Sequence, residues 1–151
     1  MKWRPHPAIR VIALGLHWRD DSLLAVEILD DAGRVKGVRP LGGGVGFGET
    51  WQVALAREFQ EELGVDVEVG AETIVIENIY AHEGHIGHEV AFLAEVKFPK
   101  GAFASESAIH FQEDNGDRCI ARWFPLADLM SGAIPLFPAG LKDRLPAMRG
   151  A

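Results

Sequence analysis

The chain has little with which to cross-link itself, enter a membrane or wrap a polyanion. Its 151 residues include one cysteine, Cys119, so no internal disulfide can form and a reducing cytoplasm is the expected setting. Cys119 itself reads as a small buried hydrophobe. No window approaches the roughly 18 to 20 apolar residues of a membrane span. Basic residues precede an apolar stretch near the start, but Val11 to Leu16 is too short for a signal core, and no small-residue cleavage site follows. Lys and Arg number 15 against 22 Asp and Glu, a formal net charge of −7, and they form no cluster. That excludes a surface built to neutralise a nucleic-acid backbone. Repeats, low-complexity tracts and linkers are also missing. With 48% hydrophobic and 25% charged residues, residues 1–151 read as one domain able to bury its own core.

An acidic protein can still act on an anionic phosphate if bound divalent cations reverse the local sign of its site. Carboxylate clusters are therefore the feature to look for, and the order of elements says where one can sit. Residues 9–17 and 22–29 are apolar and partly β-branched, separated by Arg19-Asp20-Asp21, and are predicted to pair as strands. Five glycines fall within seven residues, from Gly42 to Gly48, which predicts a specialised loop instead of a helix or central strand. Thr50 is placed to cap a helix over WQVALAREFQEEL that stops at Gly64. Val65 to Tyr80 and EVAFLAEVKF, joined through HEGHIGH, predict a long hairpin. CIARWFPL predicts a further strand, followed by short helices over 125–129 and 141–148 that prolines interrupt. The fold class is mixed α/β.

In the predicted helix Glu58, Glu61 and Glu62 stand at i, i+3 and i+4, within about 100° of one face. Like charges at that spacing repel, and only Arg57 is near to relieve them. Leu55, Phe59 and Leu63 lie on an adjoining face and can anchor the helix while the acidic stripe faces a cleft. Hard cations such as Mg²⁺ or Mn²⁺ take oxygen ligands. The glycines ahead of the helix let a backbone carbonyl such as that of Gly42 approach a metal held by the glutamates. Taken singly, the three glutamates also fit a solvated helical face, and the glycines a loose loop.

Jointly they read Gly43-x5-Glu49-x7-Arg57-Glu58-Phe59-Gln60-Glu61-Glu62-Leu63-Gly64-Val65. This run matches the Nudix box at every defined position, and the chain resembles the Nudix hydrolase family. The resemblance implies the Nudix fold, a mixed β-sheet sandwiched between helices, with the box forming loop, helix and loop. It implies that Glu58, Glu61 and Glu62 ligate Mg²⁺ or Mn²⁺, that Glu58 or Glu62 also serves as base for the attacking water, and that Glu49 and Arg57 form the ion pair fixing loop against helix. It further implies hydrolysis of a pyrophosphate linkage in a nucleoside diphosphate joined to another moiety. The rival reading, a catalytically silent nucleotide-binding sensor, expects lost box glutamates, and none is lost. Two departures stand out: the family usually has proline directly before the glycines and often glutamate after GGGV, whereas here Arg39-Pro40-Leu41 precedes Gly42, and Gly46 follows Val45.

Outside the box, family members often add an acidic residue from a later loop. In ESAIHFQEDNGDR the candidate is Glu113, with Glu106 in reserve. Arg39 is a candidate phosphate contact and Tyr80 a candidate adenine-stacking residue, against the plainer readings of an exposed strand arginine and a strand aromatic. Trp51 reads as core. His82, His85 and His88, spaced by three, fit surface positions at a hairpin tip or substrate contacts, and less well a transition-metal site. The expected partner is a small nucleotide-type substrate; a homodimer is allowed, and neither a nucleic-acid polymer nor a membrane is expected.

Overall fold

The computed structural model describes residues 2–113 and 115–149. Its one long helix, α1 (Trp51–Leu63), has the predicted bounds because both ends are fixed locally. Thr50 Oγ1 accepts the Val53 N–H at 3.2 Å. Gly64 adopts the left-handed region at φ 69°, and its N–H returns to the Gln60 carbonyl, the ending that glycine allows at least cost.

The strands form two curled sheets, one of them mixed, as the expected mixed fold requires. One sheet has the order β5 (Leu41–Gly44), β1 (Ile9–Leu16), β7 (His85–Lys97), β6 (Glu68–His82). The other runs β2 (Trp18–Arg19), β3 (Ser22–Leu29), β9 (Arg118–Pro125), β8 (Ala108–Gln112), with β4 (Val35–Arg39) also on β3. The predicted pairing of residues 9–17 with 22–29 is overturned. β1 lies parallel to β7 and antiparallel to β5, while β3 pairs antiparallel with two-residue β2, with β4 and with β9. The reason is burial: β1 runs apolar on both faces from Ile12 to Leu16, so it belongs in the interior of a sheet between two cores and not in an isolated hairpin.

The glycine segment needs the second correction. Gly42 to Gly44 are strand, not loop, and pair with Leu14 to Ile12. They are tolerated there because β5 is the sheet's edge, where backbone pairing is needed on one side only; the loop proper is 45–50. The long hairpin is present, with register from Glu68↔Lys97 to His82↔His85. Its turn is only Glu83-Gly84, both at positive φ, as a tight two-residue turn requires. Strands β4 and β8 were not predicted. The short helices are α2 (Leu126–Met130) and α3 (Leu141–Arg149), within one residue of expectation.

β1 divides the core. Ile12, Leu14 and Leu16 pack with Leu93, Leu129, Leu141 and Leu145, beneath α2 and α3. Ala13 packs on the other side with Leu55, Phe59, Val65 and Val96, beneath α1. Helices thus cover both sides of the strands. Gly15 is where α1 comes closest to β1, for a Cβ there would lie 2.7 Å from the Phe59 ring. Anchored through Leu55 and Phe59, α1 turns its glutamates toward the edge strand β5. No helix among the described residues is long and apolar enough to cross a membrane.

Candidate active site

The acidic face of α1 meets the glycines of β5, and Arg57 joins them. Its Nη2 and Nε donate to Glu49 Oε1 at 2.6 Å and Oε2 at 3.1 Å. Its Nη1 donates to Glu58 at 3.0 Å and to Glu61 at 3.3 Å, and Nη2 also reaches the Gly44 carbonyl at 3.0 Å. Glu49 Oε1 accepts the Gly46 N–H at 2.7 Å as well, which ties the loop to the helix. The guanidinium, hydrogen-bonded foremost by Glu49, is held above its ordinary pKa, and the Glu49 carboxyl is held below its own by Arg57 first and the Gly46 N–H second.

Glycine is required at Gly43 because the Glu58 carboxylate lies on it: a Cβ there would come within 2.4 Å of the carboxylate carbon. At Gly42, φ is 153° and a Cβ would collide with the Ala13 carbonyl. Beyond these two glycines opens a cleft of about 660 Å³. Glu58 and Glu62 line it with Gly42 to Gly44, and so does Glu113, from the β8–β9 turn. Glu61 is held by Arg57 and lies outside the lining, as does Glu106. Cys119 is half-buried in the cleft wall; burial first, then the Glu113 and Glu62 carboxylates, push its thiol up to about 12.

Arg39, at the end of β4, lines the cleft with its Nε buried and unpartnered. Tyr80 does not line it. The ring lies across Gly87, where a Cβ would meet it at 2.2 Å, and its hydroxyl donates to Glu89 Oε1 at 3.3 Å. Burial first, then the Glu89 charge, push that hydroxyl up to about 12. Tyr80 thus supports Glu89, which is 7% exposed and does line the cleft. Trp51 is half-buried with its ring parallel to Phe92 at 5.8 Å, as a core residue.

The three histidines do not converge. His88 Nε2 lies 3.0 Å from Glu77, His85 Nδ1 3.0 Å from the Glu83 carbonyl, and His82 Nδ1 2.9 Å from Lys36 Nζ. Asp31, His82 and Glu83 do bring three donor atoms within 4.8 Å of one another. A cation fits poorly there, because both Asp31 oxygens are on Arg4 and an ammonium stands on the His82 nitrogen. Arg10, Glu89 and Arg118 also line the cleft and were not anticipated. Glu89 carried a legible signal, a charge between Gly87 and Ala91 on the inward-facing positions of an alternating strand.

The box geometry therefore stands in one loop–helix unit, and a NUDIX domain matches residues 6–146. The chain belongs to the Nudix family. It is accordingly an enzyme, a Nudix-type hydrolase. Among solved structures, the MutT NUDIX hydrolase from Burkholderia pseudomallei is 25% identical with a TM-score of 0.61, over 93% of this chain and 98% of that one. The NUDIX hydrolase from Nitrosomonas europaea is 20% identical, TM-score 0.59, over 95% and 89%. The E. coli ORF135 protein is 22% identical, TM-score 0.57, over 93% and 91%; these last two share the fold. No curated protein matches the chain in sequence.

Proposed function

We propose that this Nudix enzyme hydrolyses a pyrophosphate linkage in a nucleoside diphosphate-linked substrate, using Mg²⁺ or Mn²⁺ held by Glu58 and Glu62 in the cleft, with Glu61 a ligand only on leaving Arg57. What carries this is one cleft that brings both signs to the glycine strand: Glu58, Glu62 and Glu113 line it, and Arg10 and Arg39 stand in the same walls. The donors at the acidic end are carboxylate and carbonyl oxygens, the set that hard cations prefer. When bound, the cation lowers the pKa of a coordinated water and shields charge on the leaving phosphate.

The other steps fall to the chain's own residues. Arg39, whose buried Nε has no partner among the described residues, binds a phosphate oxygen, since an unmatched buried donor is costly until something accepts from it. Arg10, lying against Gly44, is the second phosphate contact. The proton of the attacking water goes to a cleft carboxylate, Glu58, Glu62 or Glu113. Tyr80 orients Glu89 and does not stack on adenine. Arg57 and Glu49 keep Glu58 against Gly43.

The test is a phosphate-release assay over dNTPs, oxidised dNTPs, nucleotide sugars, ADP-ribose and dinucleoside polyphosphates, with and without Mg²⁺ or Mn²⁺. Metal-dependent turnover of at least one class is expected, and Glu62→Gln should lower it by about 100-fold or more. Nucleotide binding without turnover would identify a sensor module instead, and turnover that survives both Glu58→Gln and Glu62→Gln would remove the acidic stripe from the mechanism.

A further inference from the structure

One buried carboxylate faces the cleft with an oxygen to spare. Glu89 stands on β7, lines the cleft and is almost wholly buried. Among the described residues its carboxylate has a single hydrogen-bond partner, the Tyr80 hydroxyl, which donates to Oε1 at 3.3 Å. Oε2 has none and is not sealed from solvent, so it looks into the cleft. A cation is at hand and does not pair with it. Arg10 is the register partner of Glu89 on β1, yet no ion pair joins the two among the described residues. The Arg10 guanidinium instead lies back against Gly44, the partner of Ile12.

Neighbouring residues hold the carboxylate in this state. Gly87 pairs with Tyr80 across the hairpin, and a Cβ at 87 would stand 2.2 Å from the Tyr80 ring. Glycine there lets the ring lie across β7 and carry its hydroxyl to Glu89, two residues further on. The level of Glu89 in the cleft follows from register. Gly43, under the Glu58 carboxylate, pairs with Ala13, and Ala13 with Phe92. Glu89 is three residues from Phe92 along β7, about 10 Å, and two strand spacings across from β5, about 10 Å more. That separation is within the span of one nucleoside diphosphate. With its phosphates at the glycine strand beside Arg10, its nucleoside reaches Glu89.

We propose that Glu89 is a specificity-determining residue, which accepts a neighbouring pair of N–H or O–H donors on the nucleoside of the substrate, and that Tyr80 is its positioning residue. The inference rests on the nucleotide-type reading above and says which part of the nucleotide the cleft inspects. A carboxylate can only accept, and one that is buried without a cation is poorly solvated until donors reach it. It repels phosphate, so it serves the uncharged part of the substrate and leaves the phosphates to the arginines. That part offers two suitable pairs: N1–H with the 2-amino group on the edge of guanine, and the 2′ and 3′ hydroxyls of ribose. A site made to accept from a donor discriminates sharply against an analogue that lacks it, by about ten-fold or more for a two-point contact.

The test uses the full chain with two variants, Glu89→Gln and Tyr80→Phe. GDP, IDP, ADP and 2′-deoxy-GDP are titrated by calorimetry without metal, with inorganic pyrophosphate as the probe that lacks a nucleoside. Wild type should lose about ten-fold or more in affinity from GDP to IDP if the pair is on guanine, or from GDP to 2′-deoxy-GDP if it is on ribose. Glu89→Gln should abolish that preference, weaken GDP by about the same factor and leave pyrophosphate no weaker. On guanine the exchange reads further: an amide offers one acceptor and one donor, the pattern of the adenine edge, so the variant should turn toward ADP. Tyr80→Phe should blunt the same preference, which a loss of packing alone would not move. Wild-type protein that binds none of the four nucleotides, or binds all four alike, overturns the inference. Glu89→Gln protein that keeps the wild-type preference, or loses nucleotides and pyrophosphate equally, overturns it too. Should Glu89→Gln fail to fold, Tyr80→Phe decides, and an unchanged preference in it is fatal. Metal-dependent turnover alongside any of these failures leaves the hydrolase reading standing without Glu89, whereas a Glu89-dependent preference with no turnover of any substrate would sink the hydrolase reading alone.

Discussion

Arg57 is shared by three carboxylates, those of Glu49, Glu58 and Glu61. Without it, α1 and its loop would present like charges to one another with nothing between them, an arrangement that costs more than the pairs contribute when intact. Arg57→Ala is therefore expected to lower melting temperature and turnover together, and unchanged values of both would reduce Arg57 to a surface residue. The pH dependence has a definite sign. Because Arg57 and the Gly46 N–H hold the Glu49 carboxyl below its ordinary value, its contribution is present above the usual carboxylate range and is lost as pH falls through the folded value. Melting curves taken from neutral pH downward should show this acid-induced loss in wild type and less of it in Arg57→Ala. Parallel curves would mean that the pair contributes nothing to stability.

The edge strand β5 separates two kinds of glycine requirement within adjacent positions. At Gly43 an added methyl meets the flexible end of Glu58, which can move away, whereas at Gly42 it meets the Ala13 carbonyl of β1 at positive φ. Gly43→Ala should keep the fold and lose about ten-fold or more in turnover, because a displaced carboxylate is a misplaced ligand. Gly42→Ala should cost about 2 kcal/mol or more in stability. Melting temperature and turnover measured on both variants would separate these effects, and the reverse pattern would refute the assignment of Glu58 to Gly43. Elements of this kind also mark where sequence stops being informative. Helix α1 was legible to the residue because Thr50, the apolar spacing and Gly64 act within the helix itself. The glycines of β5 looked like a loop because what makes them strand is a partner, β1, about thirty residues earlier in the chain. The supposed hairpin of β1 with β3 failed for the same reason, since adjacency in sequence says nothing about which sheet a doubly buried strand enters. The meeting of Glu49, Arg57 and Glu58 is legible because they belong to one local motif, and Glu113, named from a loop whose spacing does not fix it, lines the same cleft as Glu58 and Glu62. Arg10 reaches the cleft only through register, which no spacing in the chain encodes, whereas Glu89 carried its own signal in the alternation of β7.

At the scale of the molecule, a net charge of −7 and an acidic cleft make stability a reporter of metal. If the site binds Mg²⁺ with Kd about 1 mM, then about 5 mM metal stabilises the native state by about 1 kcal/mol, which for this length is roughly 2 to 4 °C in Tm. Glu62→Gln should begin slightly more stable than wild type without metal, one repelling charge being gone, and respond much less when metal is added. A wild-type curve indifferent to both Mg²⁺ and Mn²⁺ would show that the glutamates hold no cation. The parallel pairing of β1 with β7 has a consequence of another sort, in the order of events during synthesis. Partners from Ile9↔His88 to Leu16↔Glu95 are separated by about 80 residues, and closing so long a loop comes late and slowly. As the chain leaves the ribosome, β1 and β5 can meet and α1 can settle on them while β1 still has one bare edge. The glutamates are then in place beside Arg10 and Arg39, while Glu89 and Arg118 have yet to complete the walls. A nascent chain halted before Lys97 exposes the Leu14 and Leu16 face to any neighbour, and its cleft still lacks the walls that β8 and β9 bring.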